Sequence, residues 1–245
     1  MKLGITFFLF NPFNHVQLDK SEIFIIIPVY NEQVIVKQVV DSLLDNGYQN
    51  IIIIDDGSTE DIFSLLQQKP LIYIRHFINL GQGAALQTGF DFVKKLNPKV
   101  VITFDADGQH DAKEISSIVF PILNDEADIV LGSRFLHQST SVMPAQKKAL
   151  LQLARYINFL FSGLMLTDAH NGFRALSKKA VNQIRITENR MAHASEILNE
   201  IKRHHLRFVE MPVTIHYTNY SKKKGQSILN AVNIFFHLLF NKIGS

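Results

Sequence analysis

The chain has no cysteine and no tryptophan. Without thiols there is no disulfide framework and no thiolate metal site, and the redox compartment is left open. A strong charge of one sign is also missing: 25 Lys and Arg stand against 22 Asp and Glu, a formal net charge of +3 with a pI of about 9.0. That excess suits a phosphate-rich ligand or an anionic membrane surface and is too small to indicate nucleic acid. No run reaches the roughly 18 to 20 apolar residues that cross a bilayer. Leu3 to Phe10 is apolar and follows Lys2, but Asn11, Pro12 and Asn14 interrupt it and no small-residue cleavage site follows. It is expected to be a packed N-terminal segment rather than a signal peptide. There is no internal repeat and no low-complexity tract. The 245 residues bound one large domain, or one domain with a small appendage, able to bury a core without staples.

What is present is an alternation of two periodicities. Ile23 to Val29 is a near-continuous β-branched run, as in a strand buried on both faces. Gln33 to Asn46 reads as an amphipathic helix stopped by Gly47. Ile51 to Ile54, Leu71 to Ile74, Val100 to Phe104 and Asp128 to Leu131 read as further strands. Between them lie a short helix to Gln68, a helix from Gly83 to Leu96 and another from Ala112 to Leu123. Short connections between alternating strands and helices predict a mostly parallel sheet covered on both faces. Beyond residue 140 the spacing predicts a long apolar helix over Gln146 to Leu166, then a segment near Asn171 to Ser177 returning towards the sheet. A helix over Ala192 to His204, a strand over Arg207 to Val213 and an apolar helix over Gln226 to Ile243 follow.

Ligands of such sheets bind outside the carboxyl ends of the strands. Polar clusters fall at three of those ends: Tyr30-Asn31-Glu32, Asp55-Asp56, and Asp105 with Asp107. Two carboxylates flanking one residue can share a hard cation with a diphosphate, although Asp107-Gly108 also fits a plain turn, with Asp111 capping the next helix. An EF-hand fits poorly, because Gly108 falls at loop position four rather than six and no closing Glu lies at position twelve. After the second strand, Asp55 and Asp56 could accept from a base N–H, and Ser58 could cap the following helix. Asn79-Leu80-Gly81-Gln82-Gly83-Ala84-Ala85 opens a helix and could present N–H groups to phosphate, or simply allow close packing. It is not the dinucleotide fingerprint, since Leu86 stands where the third glycine belongs.

In this order and spacing, Pro28-Val29-Tyr30-Asn31-Glu32, Asp55-Asp56-Gly57-Ser58, Asn79-Leu80-Gly81-x-Gly83 and Asp105-Ala106-Asp107-Gly108-Gln109-His110 resemble the family 2 glycosyltransferases. Gly132-Ser133-Arg134-Phe135 and Asp168-x-x-x-Gly172-Phe173-Arg174 are similar to the branch of dolichyl- and polyprenyl-phosphate sugar synthases. The resemblance implies an α/β fold: a single nucleotide-sugar-binding domain of the glycosyltransferase A type with a mixed, mostly parallel sheet over residues 1–220, then a basic loop and an apolar helix over 221–245. It implies inverting transfer from a UDP- or GDP-linked sugar. The donor would lie among Pro28, Tyr30, Asn31, Glu32, Asp56, Gly57, Asn79, Gly83, Asp105, Ala106, Asp107 and Gln109. Tyr30 would stack on the base and Asp56 would read its edge. Asp105 and Asp107 would hold Mn2+ or Mg2+, with His216 as a further ligand, and Arg134 would face a phosphate, to which a planar guanidinium is well matched. A hydroxyl acceptor needs a base, for which Asp168 and Glu196 are the candidates; a phosphate acceptor needs none, and Asp168 would then orient Arg174 or the acceptor. One departure stands out. The synthases carry an arginine and a Ser-Lys pair near the domain's end, where this chain reads Tyr217-Thr218-Asn219-Tyr220-Ser221-Lys222-Lys223-Lys224-Gly225.

The helices expected at 146–166 and 226–243 carry narrow polar stripes, Asn230, Asn233, His237 and Asn241 in the second. With Lys222 to Lys224 and Lys242 adjacent, both could lie in a membrane interface; mutual packing or a homodimer seam is the alternative. The expected protein is therefore peripheral on the cytoplasmic face of the cell membrane, acting on a polyprenyl phosphate or a lipid-linked glycan. A soluble transferase extending a glycan hydroxyl, and a non-catalytic subunit of a membrane glycosylation complex, are the other readings.

Overall fold

The structure is a computed structural model that describes residues 18–136, 171–190 and 192–216, with 156, 159, 163, 164 and 166–169. The N-terminal segment, most of Gln146 to Leu166, the lysine stretch at 222–224 and Gln226 to Ile243 lie outside the described residues.

Isoleucine-rich runs form the centre. Strand β1 (Ile23–Val29) is followed by helix α1 (Gln33–Asp45), β2 (Ile51–Asp55), α2 (Ile62–Leu66), β3 (Ile72–Arg75), α3 (Gln82–Val93), β4 (Val100–Thr103), α4 (Ile115–Leu123) and β5 (Ile129–Ser133). Then come β6 (Arg174–Ser177), α5 (Lys178–Gln183), α6 (His193–Arg203) and β7 (Phe208–Pro212). The seven strands form one sheet in the order β3-β2-β1-β4-β6-β5-β7. Strand β6 runs antiparallel to β4 and β5, and the other pairs are parallel.

Alternate residues of each strand face opposite layers. Ile23, Ile25 and Ile27 pack with Ile51, Ile53 and Ile102 against Val36, Val40 and Leu43 of α1 and Ile115, Ile118 and Val119 of α4. Ile26, Ile52, Ile54 and Val101 face the other way, onto Ala85, Leu86 and Phe90 of α3 and Ile197, Leu198 and Ile201 of α6. Each such fully buried isoleucine contributes about 1.5–3 kcal/mol. Burial on both sides explains why these strands read as continuous apolar runs rather than alternating ones.

The chain direction across the sheet reverses between β1 and β4, since β2 and β3 extend to one side of β1 and β4 lies on the other. That is the switch point at which a crevice opens beyond the strand ends.

Two local expectations differ. Ser58 does not cap α2; Asp61 does, accepting from Ser64 N at 3.0 Å. Helix α5 was not expected, because six residues are too few to show a period; Ser177 starts it, its Oγ accepting from Ala180 N at 3.2 Å. Asp111 does begin the next turn, accepting from Lys113 N at 2.9 Å.

Candidate active site

The β1 and β2 ends are tied together. Asn31 takes a left-handed backbone (φ 53°), its N–H donates to Ser58 Oγ at 3.0 Å, and its Oδ1 accepts from Thr59 N at 2.9 Å. Asn31 is thus a clasp between two loops. Pro28 sits inside β1 opposite Ile54, and Glu32 starts α1, its carbonyl accepting from Val36 N at 2.9 Å. Tyr30 stays 43% exposed and forms one wall of an open cleft of about 320 Å³, lined also by Asn79, Gly81, Gln82 and Arg190.

The adjacent acidic pair at the end of β2 is hydrogen-bonded within the protein. Asp55 is fully buried and accepts from Ser58 N at 2.9 Å and Tyr73 Oη at 2.5 Å. Asp56 is 2% exposed. It accepts from Leu80 N at 3.0 Å and Gly81 N at 2.7 Å, and pairs with His76 Nδ1 at 2.7 Å. The carboxylate expected to read the base edge thus holds the backbone at 80–81, of which Gly81 lines the cleft. Gly57 belongs to the same unit. Its φ is +70° and a Cβ there would come within 2.5 Å of the Ile78 carbonyl carbon.

Beyond β4 the second acidic pair is built differently. Asp105 Oδ1 accepts from Gln82 Nε2 at 3.0 Å, and Oδ2 lies 3.2 Å from His110 Nε2. The His110 ring is wedged between Phe104 and Phe173, with centroids 5.4 and 5.1 Å away. Burial works to raise the Asp105 pKa, but the His110 hydrogen bond and the charges of His110, Arg174 and His193 outweigh it and hold the carboxyl below its ordinary value. Asp107 is pushed up to about 6, first by burial and then by the neighbouring Asp105 charge. Its Oδ1 accepts from Gln109 N at 3.0 Å across the turn at Gly108, and Ala106 between the two acids is buried. Two oxygen-donor carboxylates, one of them strained by its partner's charge, are a place short of positive charge, and a hard divalent cation fits that deficit.

On the opposite flank, Arg134 Nε donates to Asp168 Oδ2 at 2.5 Å, with the arginine side chain 10% and the aspartate side chain 1% exposed. Glu210 of β7 holds this corner: it accepts from Thr167 N at 2.9 Å, Thr167 Oγ1 at 2.8 Å and Asp168 N at 3.1 Å. Asp168 is thus paired with Arg134, while of the two partners expected for it, Arg174 or the acceptor, Arg174 feels its charge. Arg174 itself is 3% exposed; burial lowers its pKa while the charges of Asp105 and Asp168 act against that, so this cation links the two carboxylate groups electrostatically. Gly172 closes the arrangement: a Cβ there would stand 2.0 Å from Asp105 Oδ2.

The same geometry places the other expected residues. The N–H groups of Gly83 and Ala84 do not face a phosphate, because they donate to the Asn189 carbonyl at 2.9 and 3.3 Å. Gly83 is required because a Cβ would lie 1.9 Å from Glu188 O. Glu196, a candidate base, is held on segment 187–188: its two oxygens accept from Thr187 N at 3.0 Å, from Glu188 N at 2.9 Å and from Thr187 Oγ1. His216 is not gathered into a shell with Asp105 and Asp107. Its N–H donates to Gln109 O at 2.9 Å and its Nε2 faces Asp111 Oδ2 at 4.0 Å. Among the described residues no three His, Asp or Glu side chains converge as a metal site.

Known proteins match this arrangement. The sequence model of glycosyl transferase family 2 covers residues 24–185, well over half of the chain. The chain belongs to glycosyltransferase family 2. Among its relatives is the UDP-N-acetylglucosamine–dolichyl-phosphate N-acetylglucosaminyltransferase of Methanococcus voltae, 34% identical over 91% of this chain and 96% of that protein. Another is the polyprenol monophosphomannose synthase of Mycolicibacterium smegmatis, 27% identical over 65% of this chain and 63% of that one. These support the polyprenyl-phosphate sugar synthase branch, and the protein is a glycosyltransferase. The glucosyl-3-phosphoglycerate synthase of Mycobacterium tuberculosis, solved with Mn2+ and UDP-glucose, superposes with a TM-score of 0.66 at 14% identity, over 89% of this chain and 76% of that one. It shares the fold: a mixed seven-stranded sheet flanked by helices.

In this family 2 enzyme Gln82, the His110 imidazole and Arg190 also stand at the site, and sequence alone assigns them no part. His110 ends the Asp105-Ala106-Asp107-Gly108-Gln109-His110 motif, but only the fold shows its ring beside Asp105. Arg190 carries no local signal at all.

Proposed function

We propose that the protein transfers a sugar, with inversion, from a UDP-linked donor to a polyprenyl phosphate of the dolichyl type at a membrane face. The observation that carries this is the engagement of both carboxylates considered as bases: Asp168 is paired to Arg134 and Glu196 is bound to the 187–188 backbone. A phosphate acceptor is already an anion and asks for no base, whereas a hydroxyl does. The acceptor phosphate oxygen forms the new bond to the anomeric carbon from the face opposite the leaving group. The bond from that carbon to the diphosphate oxygen breaks, and the electron pair leaves with UDP; no proton need move.

Tyr30 stacks on the donor base. Asp105 and Asp107 hold Mn2+ or Mg2+, which supplies positive charge for the departing diphosphate. Arg134, locked by Asp168, offers its planar fork to a phosphate. The dolichyl-phosphate substrate in the name of the Methanococcus voltae relative points the same way. Among the described residues no helix is long and apolar enough to cross a membrane, and peripheral attachment to the inner face of the cell membrane is part of this proposal, through the apolar stretches at 146–166 and 226–243.

The test is transfer with Mn2+ across UDP- and GDP-sugars, with and without a short polyprenyl phosphate. Turnover is expected with a UDP-sugar only when the lipid phosphate is present. Transfer to a glycan hydroxyl with none to the lipid would overturn the acceptor assignment.

A further inference from the structure

We infer that Arg190 is a donor-binding residue that grips the diphosphate of the bound nucleotide, and that Glu196 is the positioning residue that puts it there. This rests on the donor reading proposed above. Segment 187–190 is docked on the start of α3 by its backbone: the Asn189 carbonyl accepts from Gly83 N at 2.9 Å and Ala84 N at 3.3 Å. Two of the helix N-terminal donors that could have met a phosphate are thereby consumed. The docking needs bare backbone on the other side, since a Cβ at Gly81 would come within 2.2 Å of Asn189 O and 3.0 Å of Arg190 Cγ.

Both ends of the segment are fixed. Glu196 accepts from the N–H groups of Thr187 and Glu188, and the Arg190 carbonyl lies 2.7 Å from His193 Nδ1. The exposed Arg190 side chain then lines the cleft with Tyr30, Asn79, Gly81 and Gln82. The four others are uncharged. Gln82 in turn donates to Asp105, so one lining residue of the cleft is in contact with the acidic pair, and Arg190 supplies the cation of that lining. Among the described residues Arg190 makes no salt bridge that would neutralise it. An arginine facing a diphosphate forms charge-assisted, two-pronged hydrogen bonds, and it replaces the phosphate contacts that the start of α3 has given up.

The test is competition binding of UDP and of uridine to the full-length protein with Mn2+. Arg190→Gln is expected to weaken UDP roughly 10- to 100-fold and to leave uridine unchanged, with Arg190→Lys recovering part of the loss. Glu196→Gln is expected to raise the donor KM by a larger factor than it lowers kcat. Equal UDP affinity in the wild type and Arg190→Gln, or a parallel loss for uridine, overturns the role of Arg190. A kcat collapse at unchanged KM in Glu196→Gln overturns the positioning role. Wild-type protein that binds neither UDP nor GDP with Mn2+ overturns the donor reading itself.

Discussion

Asp107→Asn is expected to lower turnover by ~10³-fold or more while making the metal-free protein more stable at neutral pH. Both effects come from one electrostatic fact. Burial and the Asp105 charge push the Asp107 pKa up to about 6, well above the usual 3.9 or so of an unfolded aspartate. The folded protein therefore holds a proton over a range in which the unfolded chain has lost it. Stability of the metal-free wild type falls as pH rises from about 4 to about 6, and the cost is fully present above that. The asparagine variant has no charge to desolvate and none to oppose Asp105, so its melting temperature lacks that decline. A cation reverses the balance, because its ligand must be deprotonated. Wild-type affinity for Mn2+ is thus expected to fall as pH drops below about 6, and Mn2+ is expected to raise the melting temperature of the wild type but not of the variant. Melting curves with and without Mn2+ between pH 4.5 and 8 check both, and retained activity in Asp107→Asn would remove this residue from the metal assignment.

A second large effect is expected at a residue with no functional atom. The new methyl of Gly172→Ala would stand 2.0 Å from Asp105 Oδ2 and 2.6 Å from its Cγ, far inside contact distance. The backbone has little freedom to retreat, since Thr103 Oγ1 donates to the Gly172 carbonyl at 2.6 Å. Asp105 is held in turn by Gln82 and His110, so the carboxylate has to move by about 1 Å, a displacement that can cost on the order of 10²-fold in rate. Crowding of this kind destabilises by about 1–3 kcal/mol, so the variant is expected to fold and to fail mainly in catalysis. Rates titrated with Mn2+ test this: a higher metal requirement with a lower ceiling is expected, and wild-type kinetics would show that Asp105 need not sit where it does.

How much of this was legible beforehand differs from residue to residue. Asp105 and Asp107 could be found because their spacing is local and they follow a buried strand directly. Asp56 stands out for a similar reason, but adjacency to a strand end does not reveal that Leu80, Gly81 and His76 converge on the same carboxylate. Glu196 shows the same limit. A glutamate in the first turn of a helix reads equally as a solvated residue, a base or a clamp, and only its hydrogen bonds to Thr187 and Glu188 decide.

The sequence by itself determined the layered α/β architecture, because runs such as Ile51 to Ile54 can be buried on both faces only inside a parallel sheet covered by helices. It also determined the family, since four motifs recur at strand ends in the right order. The tertiary structure alone decided the partners. Insertion of β6 between β4 and β5 brings Gly172 and Arg174 against Asp105. Docking of segment 187–190 on α3 closes one site for phosphate and places Arg190 in the cleft. These contacts join residues tens to a hundred positions apart, and no local periodicity or propensity encodes which distant backbone will occupy a given donor.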